Sequence, residues 1–530
     1  MGGEKQGKYY TLFESSINKF VATILDGYKP RKVFDDKIIR DAIFGFNIFY
    51  KHEINVIDSP VMQRLRRIRQ TSLAFHTYPS ATHSRFEHSL NCVGLAEKVL
   101  ESVARKKPEF ARKGTPTWAE VRLAALLHDC GHGPFSHASE EFLEEFDEFE
   151  RLKDENPSLF KRAQPHEILS YFIVKSKPFK ELLWRPIIRL YTSKDGRFCD
   201  LSAVKFDRVA LMIIGKEHPD KPEHKYLTQI VNGPFDIDKL DYLLRDGYFT
   251  GLQTAVDIDR LFFTLDVREE TRELCTDISG VTALEQLMFC KMLLFSCVYH
   301  HHKIRAGVVY LKDLFELIRR EKYKLDGLSL DSPFGLLYFD DYDVCNSLHE
   351  IPEVNERVHL LRNRILPRRA LVIMRDTLKD EGSWARLSDF GILGDSRDIK
   401  QIADFQNYLR KEIREITGEE YLNVYFDVPD PPRFRRTAFD TIVRIAPNRY
   451  IRLRDIYPTG GWVRGYAEYR YRVYIFCSPG QEKQVGEVCY HILSKNGIRL
   501  NDLAFLLAKQ EDSLIYELFP KSISGSLKSF

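Results

Sequence analysis

Apolar residues recur at helical spacing through most of the first three-fifths of the chain. Leu95, Val99 and Val103 form one such series, in which successive members lie four residues apart. This period places the side chains on one face of a helix, where they can pack against a core. The pattern predicts a mainly helical body over 37–320, after a loosely structured lead-in over 1–36.

The pattern changes toward the C-terminus. A charge-rich, irregular stretch with some helix is expected over 321–417, and short runs rich in β-branched and aromatic residues follow it. These runs predict strands at 421–426, 441–445 and 471–476, and a helix at 481–493. The expected fold is mainly α, with a helical core and a smaller α+β C-terminal lobe over 418–530.

Two local signals bracket a helix near residue 120. Thr117, followed three residues later by Glu120, matches a capping box, which predicts that the helix begins there. Gly131 stands where a helix C-cap is expected. His128 and Asp129 are therefore predicted to lie in the last turn of this helix.

Composition narrows the class of protein only slightly. Hydrophobic residues make up 44% and charged residues 29% of the chain, values typical of a globular protein. The 79 basic residues nearly balance the 76 acidic ones, so net charge gives no argument for nucleic-acid binding. Any basic surface has to be argued locally.

Cysteine usage and the absence of leader signals indicate a compartment. The nine cysteines are odd in number and widely spread, without a C-x-x-C pair, which favours reduced thiols over disulfides. The first residues show no apolar signal stretch, and nowhere do 18 apolar residues run together. We expect a cytoplasmic protein, or a nuclear one in a eukaryote, with no membrane span.

Histidines cluster in one part of the chain. Six of the sixteen fall in a single short stretch: His83, His88, His128, His132, His137 and His166. Adjacent His128 and Asp129 can direct an imidazole nitrogen and a carboxylate oxygen at one metal ion. Further ligands must come from other helices, and His88 and Asp238 are the candidates. A lone His–Asp pair is more often a structural hydrogen bond, so the prediction depends on all four residues.

The pattern of His88, His128-Asp129 and Asp238 resembles the HD-domain phosphohydrolases. The longer strings at 84–90, 128–137 and 238–246 resemble the deoxynucleoside triphosphate triphosphohydrolase branch, most closely its sterile-alpha-motif- and HD-containing type. The likeness covers about 37–310 and 438–500, which makes 37–320 the expected HD core. We expect no sterile-alpha-motif domain, since only a short tail precedes this core.

The resemblance implies hydrolysis of a dNTP to deoxynucleoside and tripolyphosphate. It also implies one or two divalent ions, which His and Asp ligands alone do not identify among iron, manganese, magnesium, zinc and cobalt. An imidazole beside the metal can protonate the leaving oxygen, and we favour His137, supported by Glu140. The predicted catalytic residues are His132, His137, Glu140, His166 and Glu167.

Substrate contacts are carried over from the same resemblance. Arg85, Lys239 and Lys291 would bind phosphates, although the family more often has arginine at the position of Lys291. Gln70, Tyr242 and Asp246 would contact the deoxyribose, although Asp246 before a glycine could simply be a helix-end charge. The predicted substrate residues are Gln70, Arg85, Lys239, Tyr242, Asp246, Lys291, Tyr299 and His301.

A regulatory nucleotide site is also implied by resemblance. It would bind GTP, dGTP or a dNTP between subunits of a dimer or tetramer, through Lys37, Asp58, Gln63, Arg66, Arg449 and Arg452. The competing interpretation assigns these residues to core stabilisation or to plain surface charge. The basic run from Arg64 to Arg69 interleaves with Leu65 and Ile68, as expected for an amphipathic helix at a subunit interface. A solvated face or a nucleic-acid contact is the competing interpretation.

Two other functions stay open at this point. One is an HD phosphodiesterase or nucleotidase acting on other nucleotides or on nucleic-acid ends. The other is a non-catalytic protein that senses a nucleotide or binds nucleic acid. The products formed from a dNTP distinguish all three possibilities.

Overall fold

A computed structural model describes most of the chain. The described residues are 7–191, 198–219, 225–325, 328–346, 351–387, 399–418, 423–429, 439–456, 465–466 and 469–508. They form two compact units. The first unit contains Met1–Leu294, Leu314–Val358 and Phe434–Thr459, and the second contains Phe295–Asp313, His359–Arg433 and Gly460–Phe530. The units interleave along the chain, and the predicted domain boundaries stay a prediction.

Helices dominate the described residues, which confirms the mainly α fold class. In chain order they are α1 (Lys8–Ile24), α2 (Lys51–Ile57), α3 (Pro60–Gln63), α4 (Arg85–Lys106), α5 (Pro116–Leu127), α6 (His137–Leu143), α7 (Asp147–Glu155), α8 (Pro157–Phe160), α9 (Pro165–Lys175), α10 (Arg185–Leu190), α11 (Phe206–Ile213), α12 (Lys225–Val231), α13 (Ile237–Thr250), α14 (Ile258–Thr264), α15 (Val281–Leu294), α16 (His302–Arg320), α17 (Asp341–Asn346), α18 (Pro352–Arg362), α19 (Glu381–Arg386), α20 (Ile399–Thr417), α21 (Leu453–Ile456), α22 (Glu482–Lys495) and α23 (Leu503–Leu506).

The strands are short and form small sheets. They are β1 (Lys37–Asp41), β2 (Gly45–Phe49), β3 (Leu265–Arg268), β4 (Glu273–Asp277), β5 (Lys324–Leu325), β6 (Leu328–Ser329), β7 (Arg368–Ile373), β8 (Val424–Asp427), β9 (Ile442–Ala446), β10 (Arg449–Arg452) and β11 (Val473–Cys477). The first unit has a four-stranded sheet in the order β10-β9-β4-β3, in which only β4 and β9 are parallel. The β1-β2 hairpin and the β5-β6 pair are separate.

The second unit contains the α+β lobe. Its sheet has the order β7-β11-β8 with antiparallel pairs. Val473, Ile475 and Cys477 of β11 face a core that also contains Val485 and Cys489 of α22. The smaller α+β lobe predicted near the C-terminus is thus present. The predicted strand at 421–426 is observed only from Val424, and residues 421 and 422 lie outside the described residues.

Two regular elements fall where the sequence pattern predicted none. Helix α1 lies in the predicted lead-in, and Phe13, Ile17 and Phe20 are fully buried along it. These residues follow helical spacing, so the signal was present in the sequence. The β1-β2 hairpin lies at the start of the predicted helical body.

The helix before the His-Asp pair begins earlier than predicted. Helix α5 starts at Pro116, and its cap is Thr115, whose side chain accepts a hydrogen bond from the Trp118 N–H. Proline favours the first helical position because its missing N–H needs no partner there. The Thr117–Glu120 capping box is therefore wrong. The helix ends at Leu127, so His128 and Asp129 follow its last turn.

Gly131 is not a left-handed cap. A Cβ at this position would lie 2.4 Å from the backbone oxygen of His166, so the glycine permits close approach of α9. Its N–H donates to the Ser170 hydroxyl at 2.8 Å. The predicted C-cap role is wrong, and the reason for the glycine is packing.

A buried ion pair ties α2 to α5. The guanidinium of Arg122 donates to both carboxylate oxygens of Glu53 at 2.7 Å, and to Glu97 at 2.8 Å. Side-chain exposure is 1% for both Arg122 and Glu53. Because water cannot replace a lost partner there, each charge depends on the other.

Replacing Glu53 with alanine should therefore lower the free energy of unfolding by ~3–5 kcal/mol, since it leaves Arg122 with Glu97 as its remaining carboxylate. Chemical denaturation of the purified protein measures this change. Glu101→Ala is the control, because Glu101 pairs with Lys113 at 3.3 Å with both side chains half exposed, and a loss below ~1 kcal/mol is expected. Equal losses in the two variants would contradict the prediction.

One stretch of helix among the described residues is long and apolar enough to cross a membrane by length and composition. It covers Ile278–Tyr299, with a mean hydropathy of 1.5. Half of its most apolar window is buried inside the structure, and the core helix of a soluble protein passes the same test. Counting uninterrupted apolar runs missed this stretch because Glu285 and Lys291 interrupt it.

Candidate functional site

All four predicted metal ligands come together in the first unit. His88 lies in the first turn of α4, His128 and Asp129 directly follow α5, and Asp238 lies in the first turn of α13. Helix α4 packs against both α5 and α13, which brings the three segments to one place. The side chains of His88 and Asp129 are almost completely buried, whereas that of Asp238 is 35% exposed.

The ligand atoms of these residues converge. The Nε2 atom of His88 lies 3.2 Å from His128 Nε2, 3.4 Å from Asp129 Oδ2 and 3.2 Å from Asp238 Oδ1. His128 Nε2 lies 3.4 Å from Asp129 Oδ1 and 3.8 Å from Asp238 Oδ1. Atoms bound at about 2.1 Å to one ion are separated by roughly 3.0–3.5 Å. The arrangement therefore fits a single divalent cation.

Hydrogen bonds orient both imidazoles toward the same point. His128 Nδ1 donates to the backbone oxygen of Ala125 at 2.8 Å, and His88 Nδ1 lies 2.6 Å from Asp241 Oδ2. A carbonyl or carboxylate oxygen can only accept, so the proton sits on Nδ1 and the Nε2 lone pair faces the other ligands. Asp241 is in turn paired with Arg245 at 2.8 Å. The sequence prediction did not include Asp241.

Electrostatics at the site favour a cation. Burial alone would lower the pKa of His88, but the charge of Asp241 and hydrogen bonds to Asp238 and Asp241 hold that pKa well above its usual value. Burial would likewise raise the pKa of Asp129, yet Arg85 and the neighbouring histidines hold it well below the usual range. The carboxylates are thus charged, and the site attracts positive charge.

Cys92 lies beside this site but does not fit as a ligand. Its Sγ is 3.8 Å from both ring nitrogens of His88, so the sulfur lies over the ring face. Burial raises the pKa of Cys92 to about 12. Its raised pKa makes loss of the proton costly, which disfavours Cys92 as a ligand, although its Sγ lies within reach of an ion held by His88 and His128. The donor set that fits is two imidazoles and two carboxylates.

A second histidine cluster adjoins the first. The ring of His132 stacks on that of His166 at 4.0 Å, and His132 Nε2 lies 3.5 Å from Asp129 Oδ1. Glu140 links His137 to this pair. Its Oε2 lies 3.0 Å from His137 Nδ1, and its Oε1 lies 2.5 Å from His166 Nδ1. Although burial opposes it, Glu140 raises the pKa of His166 to about 9. One carboxylate therefore orients two imidazoles.

Arg85 connects the two clusters. Its guanidinium donates to Asp129 Oδ2 at 2.6 Å and to the Ser136 hydroxyl at 2.9 Å. A third nitrogen lies 3.2 Å from His137 Nε2. Arg85 is buried, whereas the side chain of His137 is 63% exposed. A substrate can thus reach His137 from solvent, with the Arg85 nitrogen directly behind it.

The residues predicted to contact the sugar are Gln70, Tyr242 and Asp246, and two of them contact His83. Asp246 Oδ1 lies 2.8 Å from His83 Nε2, and His83 stacks on Phe249. Gln70 is buried on the neighbouring segment, where its N–H donates to the His83 backbone oxygen and its Oε1 has no partner among the described residues. Tyr242 is half-buried on the helix of Asp246. His83 was not among the predicted site residues although it belongs to the histidine cluster, because its partner Asp246 is 163 residues away in the sequence.

The two predicted phosphate-binding lysines line one small cavity. Lys239 and Lys291 lie on α13 and α15, and they enclose about 40 Å³ together with apolar residues such as Phe235 and Leu287. The ammonium of Lys239 bonds to Asp236 and to the backbone oxygen of Gly233. It would have to leave these partners to reach a phosphate.

Three other predicted site residues lie outside the two clusters described above. Glu167 caps α9, accepting from the Gln164 N–H at 2.7 Å and from Asn232 at 2.8 Å, and does not contact His137. Tyr299 and His301 lie in the second unit, where the Lys303 N–H donates to His301 Nδ1 at 3.3 Å. Their predicted roles stay predictions.

Three of the six predicted regulatory residues, Asp58, Gln63 and Arg66, lie close together in the sequence, and the other three lie on strands elsewhere. Gln63 accepts from Arg66 at 2.8 Å, and the Arg66 guanidinium lies 3.7 Å from the ring centre of Phe86. Asp58 pairs with Arg31 at 3.3 Å. The separate positions are Lys37 on β1 and Arg449 and Arg452 on β10.

Comparison with known families fits this geometry. The model of the HD domain matches residues 85–245, and that of the HD associated region matches 256–497. The chain thus carries an HD domain followed by an HD-associated region and belongs to the HD-domain family, whose members are typically metal-dependent hydrolases. The family resemblance read from His88, His128-Asp129 and Asp238 is confirmed.

Individual relatives are distant. The deoxynucleoside triphosphate triphosphohydrolase SAMHD1 homolog of Dictyostelium discoideum is 30% identical over 54% of this chain and 50% of its own length. Uncharacterized protein MG461 of Mycoplasma genitalium is 28% identical over 54% of this chain and 60% of its own. The matches thus span about half to three-fifths of these relatives.

A solved structure shares the fold. The crystal structure of a hypothetical protein from Aquifex aeolicus superposes with a TM-score of 0.57 and 22% identity. The superposition covers 86% of this chain and 100% of that one. At this identity the similarity concerns the fold alone.

Proposed function

We propose that this protein is a metal-dependent triphosphohydrolase that cleaves a dNTP to deoxynucleoside and tripolyphosphate. One observation carries the proposal: the converging atoms of His88, His128, Asp129 and Asp238 adjoin the Arg85–His137–Glu140–His166 chain. A hydrolytic site needs a place for a cation beside a proton donor and a phosphate-binding cation. The similarity to the relative from Dictyostelium supports the choice of dNTP as substrate.

The four ligands would hold a divalent cation, which supplies Lewis acidity toward a phosphoryl oxygen and makes water more nucleophilic at neutral pH. Arg85 then positions the phosphate. One of its nitrogens is bound to Asp129, while another faces the exposed side of His137, where a phosphoryl oxygen can bind. A guanidinium fixed by a buried carboxylate loses little freedom on binding.

His137 would deliver the proton to the leaving 5′-oxygen. Glu140 accepts from its Nδ1, so the transferable proton has to sit on Nε2. In the structure an Arg85 nitrogen lies 3.2 Å from that atom. A phosphoryl oxygen that accepts from this Arg85 nitrogen would replace its contact with Nε2 and leave Nε2 free to carry the proton. Substrate binding and acid catalysis are linked in this way.

Deoxyribose recognition would involve Gln70 and Asp246, which both contact His83 just before α4. The unpartnered Gln70 Oε1 and the carboxylate of Asp246 are both acceptors, and Asp246 is fixed by His83. The 3′-hydroxyl of a sugar has one O–H donor, which either of these oxygens can accept. Lys239 and Lys291 would bind the outer phosphates on the side of their shared cavity.

Product analysis tests the proposal. Each dNTP is incubated with the protein and Mn²⁺ or Mg²⁺, with and without GTP, and the phosphate products are separated by anion exchange. Tripolyphosphate in equal amount to deoxynucleoside is expected. Pyrophosphate or orthophosphate as the first product would instead identify an HD nucleotidase or phosphodiesterase. Nucleotide binding without any product would identify a sensor.

We also propose that a guanine nucleotide regulates the enzyme through Asp58, Gln63 and Arg66, in an oligomer. The support is a physical connection: Arg66 stacks on Phe86, the neighbour of Arg85 in α4. A nucleotide that displaces Arg66 would act on the turn that carries Arg85. Light scattering and turnover with and without GTP test this, and Arg66→Ala should remove any activation.

A further inference from the structure

The loop between Asp129 and His137 has a strained backbone. Phe135 and Ser136 have φ values of 56° and 51°, in the left-handed region. This region costs a non-glycine residue roughly 1–2 kcal/mol. Both side chains are buried, so neither is free to rearrange. Such conformations persist only where the surroundings fix them, and they concentrate at functional sites.

One carboxylate from a distant part of the chain fixes this backbone. Asp341, in the first turn of α17, is 3% exposed. Its Oδ1 accepts from the Phe135 N–H at 2.6 Å, and its Oδ2 accepts from the Arg69 N–H at 3.0 Å. The loop and the Arg69 segment are thereby held against each other.

Ser136 closes the arrangement. Its hydroxyl donates to the backbone oxygen of Arg69 at 2.5 Å and accepts from Arg85 Nε at 2.9 Å. Both ends of the Arg69 peptide segment are thus bound to the loop, one through Asp341 and one through Ser136. His137, the next residue, begins α6. The backbone that Asp341 fixes therefore determines where Arg85 and His137 lie.

We infer that Asp341 is a positioning residue of the hydrolytic site, which maintains the left-handed Phe135–Ser136 backbone and through it the relative placement of Arg85 and His137. The inference rests on the proposed hydrolytic function. Asp341 lies far outside the matched HD domain, within the HD-associated region. The site is thus completed by a residue that the HD signature does not contain.

Burial of this carboxylate is costly, which argues for a function. Desolvation raises the pKa of Asp341 to about 7, although the two backbone N–H groups and Arg69 oppose the shift. A buried acid with a perturbed pKa, bound to the N–H of Phe135 in the strained loop and to that of Arg69 on the facing segment, is typical of a functional site.

The neighbouring aspartate provides a matched control. Asp340 is also largely buried, but its carboxylate accepts from the N–H groups of Tyr342 and Asp343 and pairs with Arg67 at 3.4 Å. It makes no contact with Phe135 or Ser136. Asp340→Asn changes the same chemistry one residue away while leaving the loop alone.

Steady-state kinetics of Asp341→Asn test the inference. An amide offers one oxygen, so its NH2 group must oppose one of the two backbone N–H donors. We expect kcat to fall about 10–100-fold with KM changed less than about threefold, and Asp340→Asn to stay within about twofold. Because the asparagine variant could fail to fold, Asp341→Ser supplies a second variant. Unchanged kcat in both folded variants would overturn the inference.

A double mutant separates positioning from a general structural effect. If Asp341 acts through His137, then Asp341→Asn should cost less than about threefold in a His137→Asn background. Multiplicative losses would show that Asp341 acts independently of His137 and would overturn the inference.

A measurement that does not depend on catalysis tests the placement of His137 even if the proposed activity is wrong. Diethyl pyrocarbonate modifies exposed imidazoles, and peptide mass spectrometry measures its rate at His137, whose side chain is 63% exposed. We expect the rate to change at least about threefold in Asp341→Asn and not in Asp340→Asn. An unchanged rate would overturn the inference. A wild-type protein that releases no tripolyphosphate would overturn only the proposed function.

Discussion

Replacing Asp129 with asparagine should lower kcat for dNTP cleavage about a thousandfold or more. The Lewis-acid contribution of a bound cation amounts to several kcal/mol, and each 1.4 kcal/mol corresponds to about tenfold in rate. An asparagine has nearly the same size but removes the negative charge that lies 3.4 Å from both His88 Nε2 and His128 Nε2. It also breaks the 2.6 Å ion pair with Arg85. Metal content per chain, measured by mass spectrometry, should fall in parallel.

Two further variants serve as comparisons for Asp129→Asn. Asp241→Asn weakens the hydrogen bond that orients His88 and removes the ion pair with Arg245, but leaves the four ligands in place. Its loss in kcat should be about 10–100-fold, since residues behind metal ligands contribute at this level. Asp257→Asn, at the exposed N-cap of α14, should leave both metal content and kcat unchanged. Full metal content and activity in Asp129→Asn would remove the His-Asp pair from the mechanism.

The convergence of the metal ligands could be predicted from the sequence because each ligand lies in a short recognisable string. His128 and Asp129 are adjacent, and His88 and Asp238 stand in the first turns of helices with apolar periodicity. Helical packing then brings three segments together, although periodicity does not state which helices are neighbours. Resemblance to a family supplied that step.

Residues that act from a distance could not be predicted. Asp341 stands 206 residues from Phe135, whose N–H it binds, and no local pattern distinguishes it from other polar residues. Asp241 and His83 lie within or beside the recognisable strings, but their partners His88 and Asp246 are visible only in three dimensions. The parallel pairing of β4 with β9 joins segments more than 150 residues apart, and sequence periodicity carries no information on such pairing.

The local errors have identifiable causes. Thr115 and Thr117 are both plausible caps, and the choice depends on Pro116, which is suited to the first helical position and so favours the earlier start. Gly131 has the spacing of a C-cap, but the approach of α9, visible only in three dimensions, explains it. Local signals predicted that a helix exists there more reliably than they predicted its ends.

Glu140 supplies the negative charge that orients the histidines of the second cluster. It is buried, and the histidines that it contacts hold its pKa well below the usual range even though burial alone would raise it. It therefore stays a carboxylate that accepts from both His137 and His166. Its side chain reaches both rings, so it orients His137 as well as His166.

The acid role of His137 leads to the second large effect. His137→Asn should lower kcat for a natural dNTP by about 10²–10⁴, the range that general acid catalysis contributes. Stopped assays of tripolyphosphate release measure it. An analogue with sulfur in place of the 5′-oxygen leaves as a thiolate without a proton, so its cleavage should fall less than about fivefold in the same variant. His491→Asn, at an exposed position of α22, should be silent with both substrates.

The comparison between substrates distinguishes proton transfer from phosphate binding. Arg85 lies 3.2 Å from His137 Nε2, so loss of the imidazole could also disturb the guanidinium. That disturbance would weaken both substrates equally, because both carry the same phosphates. A selective loss with the oxygen substrate can arise only from a missing proton, since the two substrates differ in the leaving atom alone. Equal losses would assign His137 to phosphate positioning and leave His166, whose pKa of about 9 keeps it protonated, as the remaining acid.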